Sequence, residues 1–129
     1  MHVSVQGSEK NAEFIGQLRS RFSAIHDVSL VYSDSDADVV VKALGFVNEN
    51  QNNRPTGYTA SVVVLSPCTF KSPSGYDKGE TTVRQLMDHE LFTGPSEEDV
   101  LSRVSSTLDV RDFDDVRKEH AASLKLRTD

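Results

Sequence analysis

Ala37-Asp-Val-Val-Val-Lys-Ala-Leu-Gly-Phe-Val47 is followed by Asn48-Glu-Asn-Gln-Asn-Asn-Arg-Pro-Thr-Gly57 and then by Tyr58-Thr-Ala-Ser-Val-Val-Val-Leu65. Two β-branched runs on either side of a polar, asparagine-rich connection predict a long antiparallel hairpin. In the first arm Val39, Val41, Ala43, Gly45 and Val47 share one face, while Val40, Leu44 and Phe46 share the other, interrupted by Lys42. In the second arm Tyr58, Ala60, Val62 and Val64 lie opposite Thr59, Ser61, Val63 and Leu65. Near their middles both arms read as wetted on neither face, which places the hairpin centrally in a sheet. Its tip extends beyond the core into solvent.

The flanking sequence supplies what packs on this hairpin. Val3 and Val5 alternate with polar neighbours in a short strand over His2–Gln6. Ser8 is a candidate N-cap for a helix from Glu9 to about Ala24, whose stripe is Ile15, Leu18, Phe22 and Ile25, widened by Phe14. Val28–Tyr32 reads as a second strand, and Ser33–Asp36 as a polar turn. Ser66–Glu80, with Pro67, Pro73, Gly75 and Gly79, reads as a long loop, shortened only by a strand at Thr69–Lys71. Thr81–Phe92 places Val83, Leu86, Met87 and Leu91 at helical spacing, ended by Gly94-Pro95. Ser96 caps the next helix, with Glu97, Glu98 and Asp99 in its first turn and Val100, Leu101, Val104 and Leu108 on its buried side. Asp112 starts a last helix bearing Phe113, Val116 and Leu124.

The chain is thus expected to form one α+β domain over residues 1–129. Its mixed sheet has about four strands in β-α-β-β-β order, packed by an N-terminal helix and two or three C-terminal helices. The helix between the first two strands permits a right-handed parallel crossover. A doubly wound nucleotide-binding arrangement is set aside, because no crossover helix fits in the asparagine-rich turn.

Composition narrows the function classes. A net charge of −6 and interleaved signs in the C-terminal stretch argue against a nucleic-acid partner, which requires a concentrated basic face. Cys68 is the single cysteine, so neither an intramolecular disulfide nor a multi-cysteine metal site is available. No run reaches the roughly 18 apolar residues of a membrane span, and Met1-His2-Val3 leads straight into strand-like sequence rather than a signal peptide. The expected compartment is the cytoplasm, or the periplasm if an export signal has been removed.

Asp88-His89-Glu90 is the one cluster of acid/base or metal-ligating types, but a zincin site needs a second histidine where Thr93 stands. Cys68 beside Pro67 is a candidate nucleophile only if a histidine lies nearby. Gly7-Ser8-Glu9-Lys10 lacks the spacing of a phosphate loop. No metal and no cofactor is implied. The Asn48–Arg54 tip and the Pro67–Gly79 loop instead offer recognition surface, with Asn50, Arg54, Tyr58, Phe70 and Tyr76 as candidate binding residues.

Leu18-Arg-Ser-Arg-Phe22, Val28-Ser-Leu-Val31 and Ala37-Asp-Val-Val-Val41, followed by the hairpin, resemble the amino-terminal domain of the TolB family and related bacterial envelope lipoproteins over residues 3–65. The resemblance implies a non-enzymatic periplasmic module that docks onto envelope partners. The residues thus point to a non-catalytic protein-interaction module. The alternative is a small hydrolase or transferase assembled from Cys68, His89, Glu90 and the 66–80 loop.

Overall fold

The computed structural model describes residues 1–71 and 80–128, with the side chains of residues 1–67 and 84–126. In chain order its elements are β1 (His2–Gln6), α1 (Ala12–Ser23), β2 (Ser29–Leu30), β3 (Val39–Glu49), β4 (Pro55–Lys71), β5 (Glu80–Gly94), α2 (Glu97–Val110) and α3 (Asp112–Thr128). Short 3-10 turns occupy Glu9–Asn11 and Asp34–Asp36. Five strands form one mixed sheet in the order β2-β1-β3-β4-β5. β1 is parallel to both β2 and β3, and the β3–β4 and β4–β5 pairs are antiparallel. The α+β class, the parallel first pair and the central hairpin agree with the sequence reading. The strand count is five rather than about four.

The additional strand replaces two expected features. β4 continues to Lys71, and the segment expected to be a helix at Thr81–Phe92 is β5, paired along β4. A β-bulge explains the misreading. Val64 pairs with Asp88 and Leu65 with Leu86, which leaves Met87 as an extra residue on β5. Leu86 and Leu91 are five positions apart yet face the same side, because their partners Leu65 and Ser61 are four apart on β4. The bulge shifts the two-residue alternation into a pattern that imitates a helical period. Residues 72–79 of the expected loop, including Tyr76, lie outside the described residues.

One face of the sheet carries Val3, Val5, Val39, Val41, Ala60, Val62, Val64 and Phe92, all buried. Against it pack Phe14, Ile15, Leu18 and Phe22 of α1, and Val100, Leu101, Val104 and Leu108 of α2. Phe113 of α3 closes the layer by meeting Phe22 edge to face, with ring centroids 5.1 Å apart. Ser96 caps α2 as its sequence requires, its hydroxyl oxygen accepting from the Asp99 amide at 3.3 Å.

Ser8 makes no such side-chain cap, and the helical stretch begins with the 3-10 turn before α1. Asn11 has a different task. β1 ends at Gln6, opposite Lys42, so β3 loses its neighbour beyond that point. The Asn11 amide takes its place, donating Nδ2 to the Gly45 carbonyl at 2.7 Å and accepting from the Gly45 N–H at 3.4 Å. One side chain thus satisfies two backbone groups of a half-open strand edge. Asn11→Ala is expected to cost about 1 kcal/mol and to speed amide exchange at Gly45, measured by chemical unfolding and hydrogen exchange.

Arginines tie the helices to the sheet. Arg117 of α3 is bidentate to Asp27 at 2.6 and 2.9 Å and also reaches Asp109 at 2.6 Å. Its hydrogen bonds hold the Asp27 carboxyl below the usual carboxylate range. Asp112, 2% exposed, is shifted upward by burial, which the neighbouring Arg111 only partly offsets. Glu97 is also shifted upward, first by burial and then by Glu13 and Glu98. These groups pull stability in opposite directions with pH. Asp27 stabilises above its unfolded value, near pH 4, and that contribution is lost as pH falls through the lowered folded value. Asp112 and Glu97 contribute fully below their unfolded values, and lose that contribution as pH rises through the raised folded ones. The melting temperature is therefore expected to peak at mildly acidic pH. Asp27→Asn should remove the fall on the acid side, as read by thermal unfolding across the acid range.

Candidate functional site: the uncovered sheet face

All three helices lie on one side of the sheet, so the other side has no layer over it among the described residues. Pairing registers lay its residues out in rows across the strands. Val40, Leu65 and Leu86 form one row; Lys42, Val63 and His89 the next; Leu44, Ser61 and Leu91 the third; Phe46, Thr59 and Thr93 the fourth. Leu44 is 50% exposed, Phe46 49%, Leu86 59% and Leu91 63%. The expectation that the hairpin is wetted on neither face thus holds only for its first residues. Val40 is fully buried, whereas farther along β3 Lys42, Leu44 and Phe46 are exposed; on β4 Ser61 and Val63 are half-buried and Thr59 is buried. The exposed side chains Leu44, Phe46, Leu86 and Leu91 are thus gathered on one sheet face, a larger apolar concentration than scattered surface hydrophobics make.

The margins of this face are built. Towards β1, residues 31–38 cross back from β2 to β3, and the Asp34 carboxylate accepts from the Ser4 hydroxyl at 3.3 Å and from the Gln6 amide. This covers Ser4, which is 1% exposed. Where β1 stops and β3 continues, a depression of about 340 Å3 opens beside Gln6, Gly7, Lys42, Leu44, Ser61 and Val63. On the β4–β5 side, Arg84 reaches back to donate to the Ala37 carbonyl at 3.1 Å.

Charge is sorted between the two faces. Because Asp88-His89-Glu90 lies on a strand and not on a helix, its members alternate sides. Asp88 and Glu90 point to the helical side, where Arg111 binds them at 2.8 and 2.7 Å and Asp112 at 3.1 Å. Burial opposes the Arg111 charge, but these carboxylates outweigh it and raise its pKa. His89 points to the open side, with Nε2 at 3.5 Å from the Ser61 hydroxyl. The expected acid/base cluster is therefore divided, and Glu90 belongs to a structural ion-pair hub.

The cysteine-dependent alternative meets the same geometry. His89 pairs with Val63, while Cys68 lies five residues farther along β4, opposite Val83. At the strand rise, five residues span roughly 17 Å. The two residues are thus kept well apart along the sheet. No group of three or more His, Cys, Asp or Glu placed to hold a metal ion occurs among the described residues, and no described helix is long and apolar enough to cross a membrane.

The expected binding residues fare unequally. Asn50 is exposed at the hairpin tip, but its side-chain oxygen accepts from the Asn52 and Arg54 amides at 2.9 and 3.1 Å, so it shapes the turn. The tip also holds Asn53 at a φ of 58°, a left-handed conformation that asparagine tolerates better than most residues. Arg54 is exposed, with no ion pair among the described residues. Tyr58 is not a surface residue. It is 6% exposed, packs 5.5 Å from the Phe14 ring and leans over Gly45, where a Cβ would collide with its hydroxyl. Burial, with Glu97 and Glu13 nearby, pushes that hydroxyl up to about 12. The side chain of Phe70 lies outside the described set. Leu44, Phe46, Leu86 and Leu91 were not singled out in the sequence as surface residues. The available signal was that their strands have apolar positions on both sides, while the helices supply one layer of partners.

No family model matches the chain, and no curated protein does. Among solved structures it is similar to the crystal structure of the rare lipoprotein B from Shewanella oneidensis, at 11% identity, with all of each chain covered and a TM-score of 0.29. This likeness gives no support to TolB in particular. At this identity and TM-score the likeness assigns neither a partner nor an activity to the chain.

Proposed function

We propose that this protein is a non-catalytic interaction module that docks a protein partner on the uncovered face of its sheet. The observation that carries the proposal is the three-strand apolar surface around Leu44, Phe46, Leu86 and Leu91, left open by a fold whose described helices all sit on the other side. Burying such side chains is worth about 25 cal/mol per Å2 of apolar area removed from water. Phe46 extends this surface towards the hairpin tip, so Asn50 and Arg54 form its rim, and Phe70 and Tyr76 are proposed as further contacts. The cell-envelope setting implied by the amino-terminal resemblance belongs to the same proposal.

Site-specific photo-crosslinking in the native cell tests it. A crosslinking side chain at position 44 or 91 should yield a discrete protein adduct, recovered from the envelope fraction. The same side chain at Val110, exposed on the helical side, should not. Equal adducts from both sides, or none from the sheet side, would refute the docking face.

A further inference from the structure

We infer that the partner presents an acidic amphipathic helix to this face, its carboxylates set against Lys42 and His89. The inference rests on the proposed docking role and specifies the chemistry of the partner. The chain carries a net charge of −6, yet none of the strand residues facing this side is acidic among those whose side chains are described. Lys42, Arg84 and His89, with His2 at the far β1 edge, are the ionisable strand residues there among those described, since Asp88 and Glu90 turn away to Arg111. The Asp34 carboxylate at the β1 margin is already engaged by Ser4 and Gln6. Lys42 is exposed in the middle of the apolar rows and has no ion pair among the described residues. An ammonium so placed favours an occupant that brings a carboxylate into an otherwise apolar contact.

The same charges select against a second copy of this chain. Two such faces pressed together would set Lys42, Arg84 and His89 against their own kind with no acid to answer them, and like charges suppress wrong partners. The dimensions fit a helix. Lys42 and His89 occupy β3 and β5, two strand spacings or roughly 10 Å apart, close to the rise over seven residues of an α-helix, about 10.5 Å. A helix crossing the strands with acids at i and i+7 reaches both, while its apolar flanks meet the Leu44–Leu91 row on one side and the Leu65–Leu86 row on the other.

Two synthetic helical peptides test this on the full chain. They share one leucine-alanine stripe and differ only in carrying Glu or Lys at i and i+7. Backbone amide NMR titration should show the Glu peptide binding at least about tenfold more tightly, with shifts concentrated at residues 42–46, 61–65 and 86–91. Lys42→Gln should weaken the Glu peptide alone, and Lys42→Glu should invert the preference. That inversion is a response that loss of packing does not produce. Binding to this face without regard to sign would overturn the inference and leave the docking face standing. No shifts on this face with either peptide would overturn both. Self-association through this face without peptide would overturn the inference in favour of a second copy.

Discussion

Replacing Phe46 and Leu91 together by Glu is expected to weaken partner binding by about 100-fold, or roughly 2.7 kcal/mol, while leaving the fold intact. Both side chains are about half exposed or more, so neither fills the core, and surface substitutions of this kind usually change stability by no more than about 0.5 kcal/mol each. Their loss falls on the interface. Large apolar anchors near the middle of a contact carry most of its energy, and a carboxylate at each site must be desolvated without a partner. It also adds negative charge to the face proposed to receive an acidic helix. Titration calorimetry on the purified complex, with circular dichroism of the free variant, separates the two effects. A large fall in melting temperature would mean that the pair is structural.

Phe22→Ala is the substitution expected to cost the fold most. Phe22 is fully buried, it joins α1 to the sheet, and its ring meets Phe113 of α3 edge to face. Truncation removes the transfer free energy of the ring and leaves a cavity between two helices that cannot close fully. Such changes cost about 3–5 kcal/mol, a large share of the 5–15 kcal/mol typical of a domain. Urea unfolding should show this loss. A cost below about 1 kcal/mol would mean that α3 does not pack on α1 as described.

Much of this architecture was legible in the residues, and the omissions have physical causes. The alternation over Val39–Val47 and Tyr58–Leu65, the stripe Ile15-Leu18-Phe22 and the Ser96 cap each announce an element that forms. β5 was obscured because Met87 bulges out and shifts the phase of the alternation. The division of His89 from Glu90 followed from that one error, since neighbours on a strand face opposite ways while on a helix they stay on adjoining faces. Tyr58 looked like a tip residue because it follows the asparagine-rich turn, but Gly45 leaves space for its ring two positions away on the neighbouring strand. The open face was hidden for another reason. Apolar residues on both sides of a strand indicate burial only when the chain supplies two covering layers, and here every described helix lies on one side.

The most direct test of the docking face is a quantitative capture from envelope and soluble fractions with three baits. They are the wild type, the Phe46→Glu/Leu91→Glu variant, and a rim variant with Asn50, Arg54, Phe70 and Tyr76 changed to Ala. The expected result is a protein partner held by the wild type, lost by the face variant and at most weakened by the rim variant. A partner held undiminished by a folded face variant would contradict the assignment of the uncovered sheet as the docking surface.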